Sequence, residues 1–293
     1  MSQWNRRELL LGAVPALGAA SLGLTAPAAA QAQGADPPFK LGTVTYNVPK
    51  DWDFPTLVKL LPQAGVSAVE LRTTHAHGVE PSLGASQRAE VKQRAADGGL
   101  VLWGLGTTCE FHSPDPAVVR ENIRTCGEFV KLARDIGARG VKVRPNGFPN
   151  DVPQEKTLEQ IGRALRECGQ VAADHGVEIW VEVHGAGTQE PRHMRTMLDH
   201  CGHPSVGANW NSNGTDVKNG SVKESFELLR PYLKSVHINT LWGSYPYREL
   251  FGLLRQAGYD RYTLCEVASP VRPEEGVLFF QCYRGLWREL ARG

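Results

Sequence analysis

The feature that most narrows what this chain can become is a repeat of form rather than of letters. From about residue 39 to residue 292, short β-rich runs alternate with longer amphipathic stretches, and many helix-to-strand joints carry the same mark. Ala64-Gly65-Val66, Gly98-Gly99-Leu100, Ile136-Gly137-Ala138, His175-Gly176-Val177 and Ala257-Gly258-Tyr259 each set a glycine just past a helical pattern. Glycine enters the left-handed cap conformation there at little steric cost, and the chain turns into the next strand. The spacing predicts strands at 41–46, 68–72, 101–104, 140–144, 178–184, 206–210, 235–238 and 262–267. Helices are expected at 55–63, 86–96 (with Ser86 as its cap), 117–136, 155–175, 191–201, 222–233, 247–257 and 277–291. Eight strands, each followed by a helix in units of about thirty residues, match a single (β/α)₈ TIM barrel better than an open sheet. No G-x-G-x-x-G follows the first strand, which argues against a dinucleotide-binding fold. Without a linker to mark a second domain, residues 33–293 are expected to form one barrel.

Residues 1–32 carry a different signal. Arg6-Arg7 stands directly before a Leu/Ala/Gly/Val stretch reaching about Leu24, and Ala28-Ala29-Ala30 and Ala30-Gln31-Ala32 are candidate cleavage points. Paired arginines ahead of a mildly apolar run closed by small residues look like a twin-arginine signal peptide. Gly12, Pro15, Gly18, Gly23 and Pro27 dilute the run too much for a membrane anchor. The expected destination is the periplasm or the exterior, with no membrane association once the signal is removed. Export in the folded state allows a metal to be acquired beforehand.

Charge excludes one class of partner. Lys plus Arg (32) nearly cancels Asp plus Glu (31), and no basic tract is interleaved with aromatics, so nucleic acid is not expected. The six cysteines lack C-x-x-C or zinc-type spacing and read as small, mostly buried residues.

In a barrel of this kind the chemistry sits at the C-terminal ends of the strands. Glu182, His237 and Glu266 each interrupt an apolar strand near that end. A carboxylate there is costly to bury unless it is paired, protonated or bound to a cation. Two glutamates and a histidine converging on one mouth would make a site for Mn²⁺, Mg²⁺ or Zn²⁺. The competing reading is that Arg72, Lys142 and Arg144 neutralise these acids one by one. Asn211, between the strands of Glu182 and His237, could complete a metal shell or simply belong to the turn at Asn213-Gly214. His184 shares the face of Glu182 and could touch substrate or support a ligand. Glu70, Arg144 and Asn213 complete the candidate substrate contacts, and His75, His77 and His112 read as exposed loop residues.

These residues carry a resemblance. The run at 178–185, Ser235-Val236-His237-Ile238, and Gly258-Tyr259-Asp260 followed by Glu266 resemble the xylose isomerase-like TIM-barrel superfamily, the sugar phosphate isomerase/epimerase group. The resemblance spans about residues 39 to 290 and keeps the order of elements. It implies a divalent metal held by Glu182, Asn211, His237 and Glu266, with Asn211 where most members have Asp and Gly214 where they have a second histidine. It also implies proton abstraction next to a carbonyl of a sugar or keto-sugar through an enediolate, with Glu182 and Glu266 as base and acid. A metal-dependent lyase or dehydratase on a keto-sugar or keto-inositol would use the same first step. A non-catalytic periplasmic sugar-binding barrel is the third reading. The expected partner is a small carbohydrate, and self-association as a homo-oligomer stays open.

Overall fold

Val, Ile, Leu and Ala fill the short runs, and β-branched residues suit a pleated surface packed on both sides. In the computed structural model, which describes residues 37–292, those runs pair in parallel as β1 (Lys40–Val44), β2 (Ala68–Arg72), β3 (Val101–Glu110), β4 (Gly140–Arg144), β5 (Glu178–Glu182), β6 (Val206–Asn211), β7 (Leu233–Ile238) and β8 (Tyr262–Cys265). Each strand pairs with its neighbours in sequence, and β8 closes back on β1, so the sheet is a closed (β/α)₈ barrel. The proposed signal at 1–32 lies outside the described residues.

The helices are α1 (Phe54–Gln63), α2 (Ala85–Asp97), α3 (Pro116–Ile136), α4 (Gln154–Asp174), α5 (Pro191–Cys201), α6 (Lys223–Leu229), α7 (Tyr247–Gln256) and α8 (Pro273–Arg292). Asp53 caps α1 by accepting from the Thr56 N–H, and Asp115 caps α3 through Ala117. The joint glycines Gly65, Gly99, Gly137, Gly176 and Gly258 all have φ between 66° and 80°, as the repeated punctuation requires.

Several elements depart from the expected bounds, β1 (Lys40–Val44), β8 (Tyr262–Cys265) and α8 (Pro273–Arg292) among them. Gly84, not Ser86, holds the N-cap position of α2, with Gln87 folding back onto its N–H. β3 runs on through Thr107 to Glu110, where it pairs with Arg144 of β4. The 222–233 helix stops at Leu229, because Pro231 lacks an N–H and a 3₁₀ turn over Arg230–Tyr232 replaces the last turn; Leu233 already belongs to β7. β5 ends at Glu182, leaving His184 in the loop.

Two cores hold the barrel. A large apolar layer packs between strands and helices, while Val44, Ala68, Trp103, Trp180, Tyr262 and Leu264 fill the interior. Trp103 stacks on Trp180 with ring centroids 5.2 Å apart and meets Tyr262 at 4.9 Å. The indole of Trp180 fits because Gly104 and Gly140 face it: a Cβ on either would lie 2.5 or 2.3 Å from that ring. Below the indoles, Glu178 takes the Trp180 Nε1–H at 2.9 Å and an ion pair with Arg261 at 2.7 Å. Burial works against the Glu178 charge, but Arg261, Trp180 and Lys234 bring its pKa down to about 2. This packed floor fills the barrel interior beneath the C-terminal mouth. Five of the six cysteines are buried and Cys282 is exposed, all as free thiols.

Candidate metal centre and active site

Alternation along β5 turns Glu178, Trp180 and Glu182 to the same face at three successive levels, which puts Glu182 on top of the aromatic plug. The same rule sets His237 near the end of β7. Glu266 follows β8 directly, with its N–H bonded to the Ile238 carbonyl at 2.9 Å. Glu182, His237 and Glu266 offer ligand atoms that all lie within 4.8 Å of one another. His237 Nδ1 is 3.6 Å from Glu182 Oε1 and 3.4 Å from Glu266 Oε2. Ligand atoms about 2.1 Å from one tetrahedral cation stand roughly 3.4 Å apart. That Nδ1 is buried and has no hydrogen-bond partner.

Behind the imidazole, Nε2 meets Glu70 Oε2 at 3.2 Å and the Asn209 amide at 3.1 Å. A carboxylate on the far nitrogen holds the ring orientation and leaves Nδ1 to face a cation. The donor set therefore fits a divalent metal, with Glu182, His237 and Glu266 as the residues that would hold it. Asn211 adjoins them: its Nδ2 donates to Glu182 Oε1 at 3.0 Å, and its Oδ1 accepts from Asn239 at 3.4 Å.

Lys142, 5% exposed, reaches Glu182 Oε2 at 2.7 Å. The reading in which each acid has its own basic neighbour thus holds for Glu182 alone of the two glutamates. Among the described residues Glu266 has only His237 at ion-pairing distance, and Arg144 pairs with Glu110. Burial opposes charge on Glu182, but the Lys142 ammonium and His237 outweigh it and hold the carboxyl far below its ordinary range. Burial likewise disfavours charge on Lys142 and His237; Glu182 and Glu70 reverse this for Lys142, and Glu266 and Glu70 for His237, so both sit above their ordinary values.

A cavity of about 400 Å³ opens above this centre, lined by Glu182, Glu266, Asn211, His184, Arg144, Lys142 and Arg72, with Tyr46 on its wall. Arg144 and His184, expected from the sequence to contact substrate, are on the lining of this cavity. Two residues are not. Glu70 is fully buried beneath the cavity and serves His237, because its position on β2 is one level below Arg72. Asn213 turns its amide to the Val183 carbonyl at 2.6 Å and its N–H to Asp216, so it braces the loop after β6. His77, expected to be exposed, is buried between the Arg72 carbonyl and the Val79 N–H. His75 and His112 are half-buried.

Lys142 itself was undervalued in the sequence, where it figured only as a counter-ion. The signal was present: in Gly-Val-Lys-Val-Arg, alternation gives Lys142 and Arg144 the same face, opposite two fully buried valines.

With the fold and this centre in view, the class is defined. Residues 58–280 match the Xylose isomerase-like TIM barrel family, and the chain belongs to it. Among solved structures, the chain is similar to 3-keto-D-glucoside 4-epimerase YcjR from E. coli (15% identity, TM-score 0.71, covering 86% of this chain and 99% of that one). It is also similar to D-psicose 3-epimerase from Clostridium cellulolyticum H10 with D-tagatose (15%, TM-score 0.68, 87% and 96%). A third is an IolI protein with a bound zinc atom (15%, TM-score 0.71, 86% and 98%). At these identities the likeness is one of fold.

Proposed function

We propose that this protein is a divalent-metal-dependent isomerase or epimerase of a sugar or keto-sugar, working by proton abstraction beside a carbonyl. The observation that carries this reading is the buried, unpartnered His237 Nδ1 facing Glu182 and Glu266 at 3.6 and 3.4 Å on the floor of the cavity. The sugar epimerases among the similar structures, and the zinc atom bound in the similar IolI protein, support it. A cation held by the three residues would polarise the carbonyl and steady the charge of an enediolate.

The side chains then divide the work. Glu266, partly open to the cavity and free of any Lys or Arg partner among the described residues, accepts the proton from carbon. Glu182 lies on the far side, on β5, where Lys142 and Asn211 fix both its oxygens; it orients the reacting carbons and relays to them a proton from the Lys142 ammonium that is bonded to it, leaving Lys142 neutral. Arg144 and His184 hold hydroxyls, and the aromatic plug beneath keeps water from entering below.

Incubation of a keto-sugar panel in D₂O tests this directly. Deuterium is expected at the carbon next to the carbonyl, with Glu266→Gln slowing its appearance about 10²- to 10⁴-fold. Absence of exchange across the panel, or full exchange in both Glu266→Gln and Glu182→Gln, would remove the proposal; loss of water from the product would turn it into a lyase. We also propose export through the twin-arginine start. Replacing Arg6 and Arg7 by Lys is expected to leave the protein in the cytoplasmic fraction, and unchanged export would refute it.

A further inference from the structure

The cavity wall opposite Glu266 is basic in a way a neutral sugar does not require. Arg72 ends β2 with a guanidinium on the lining and no carboxylate within ion-pairing distance among the described residues. Its Nη1 donates to the Thr73 carbonyl at 2.8 Å and the Thr74 hydroxyl at 2.9 Å, which aims the group and leaves its other nitrogens for a ligand. Burial and the Arg72 charge together push neighbouring His75 down to about 4, a sign that the positive field is not cancelled locally.

Strand register brings Lys142 to the same level. Arg72 pairs with Gly106, and Gly106 pairs with Lys142, so the two basic residues flank a glycine across three adjacent strands. Strands lie about 4.8 Å apart, so the two Cα atoms stand roughly 10 Å apart. A Cβ on Gly106 would fall 2.8 Å from Glu70 Oε1 and 3.4 Å from Arg72 Cγ, so the glycine leaves that space to the Glu70 carboxylate and the Arg72 side chain. Lys142 spends one of its three N–H donors on Glu182, and Arg144, one level higher, keeps a buried Nε without a partner.

We propose that the substrate is a sugar acid, whose carboxylate meets the Arg72 guanidinium on the cavity wall while its carbonyl end lies over Glu182, His237 and Glu266. This deepens the isomerase reading and rests on it. The planar fork of Arg72 matches two carboxylate oxygens in one plane.

Calorimetric titration of the purified chain, with and without Mg²⁺, tests the proposal with D-galacturonate, D-gluconate and D-fructuronate against D-galactose, D-fructose and D-fructose 6-phosphate. The acids are expected to bind roughly 10- to 100-fold tighter than the neutral sugars. Arg72→Gln is expected to erase that margin and Arg72→Lys to keep part of it. Equal affinity for acids and neutral sugars, a margin that survives Arg72→Gln, or tighter binding of the phosphate ester overturns the proposal. Arg72-dependent acid binding without deuterium exchange would sink the isomerase reading and uphold this one; exchange on neutral ketoses with no preference for acids would do the reverse.

Discussion

Asp216, fully buried in the loop after β6, accepts from the Asn213 N–H at 2.8 Å and from the Tyr245 hydroxyl at 3.0 Å, while its Oδ1 has no partner. Burial raises its pKa to about 7, against the pull of those two hydrogen bonds. The folded state therefore binds a proton that the unfolded chain, with an ordinary carboxyl near 3.8, has released. Stability contributed by this residue is present below pH 4 and is lost as pH rises from there through about 7. Asp216→Asn is expected to remove that decline, gaining up to about 4 kcal/mol at pH 8 and nothing at pH 4. Urea unfolding at the two pH values measures it, and parallel pH slopes for both proteins would refute it. Nothing in Asn213-Gly214-Thr215-Asp216 announces this, because an aspartate in a turn is ordinarily exposed. Glu182, His237 and Glu266 were legible, since each breaks an apolar strand where a charge has no other reason to stand.

Among the elements, β4 and β5 show how a strand's small residues serve its neighbour. Gly140 and Gly104 have no side chain because the Trp180 indole occupies that volume. Gly140→Ala is expected to destabilise the barrel by about 1–3 kcal/mol through overpacking, read from the denaturation midpoint, and to disturb Glu182 two residues beyond Trp180. A variant as stable as the parent would show that the indole can move aside. The strand positions were readable from period and β-branched content. The ends of β3 and α6 were not, because strand pairing carries β3 on through Thr107 to Glu110, and Pro231 truncates α6 through a missing donor rather than through a change in pattern. Lys142 escaped because a strand lysine reads as a counter-ion until its neighbours across the sheet are known.

At the scale of the whole molecule, the barrel closes β8 onto β1 and so gathers residues from positions 70 to 266 into one centre. A cation bound there binds the folded chain and not the unfolded one. Zn²⁺ or Mg²⁺ at a hundred times its Kd is expected to add about 2.7 kcal/mol, or roughly 5–10 °C in Tm, over chelator-treated protein. His237→Gln should abolish the shift; a shift unaltered in that variant would place the cation elsewhere. No helix among the described residues is long and apolar enough to cross a membrane.

The sequence by itself determined the alternation of strands and helices, the glycine joints and the three residues that converge at the barrel mouth, because period, φ preference and misplaced charge are local properties. Only the tertiary structure decided who faces whom. It set Glu70 behind His237 instead of in the cavity, gave Lys142 to Glu182, and left Arg72 without a carboxylate. Such pairings depend on strand register around a closed sheet, and a distance of 167 residues between Glu70 and His237 is invisible until the barrel closes.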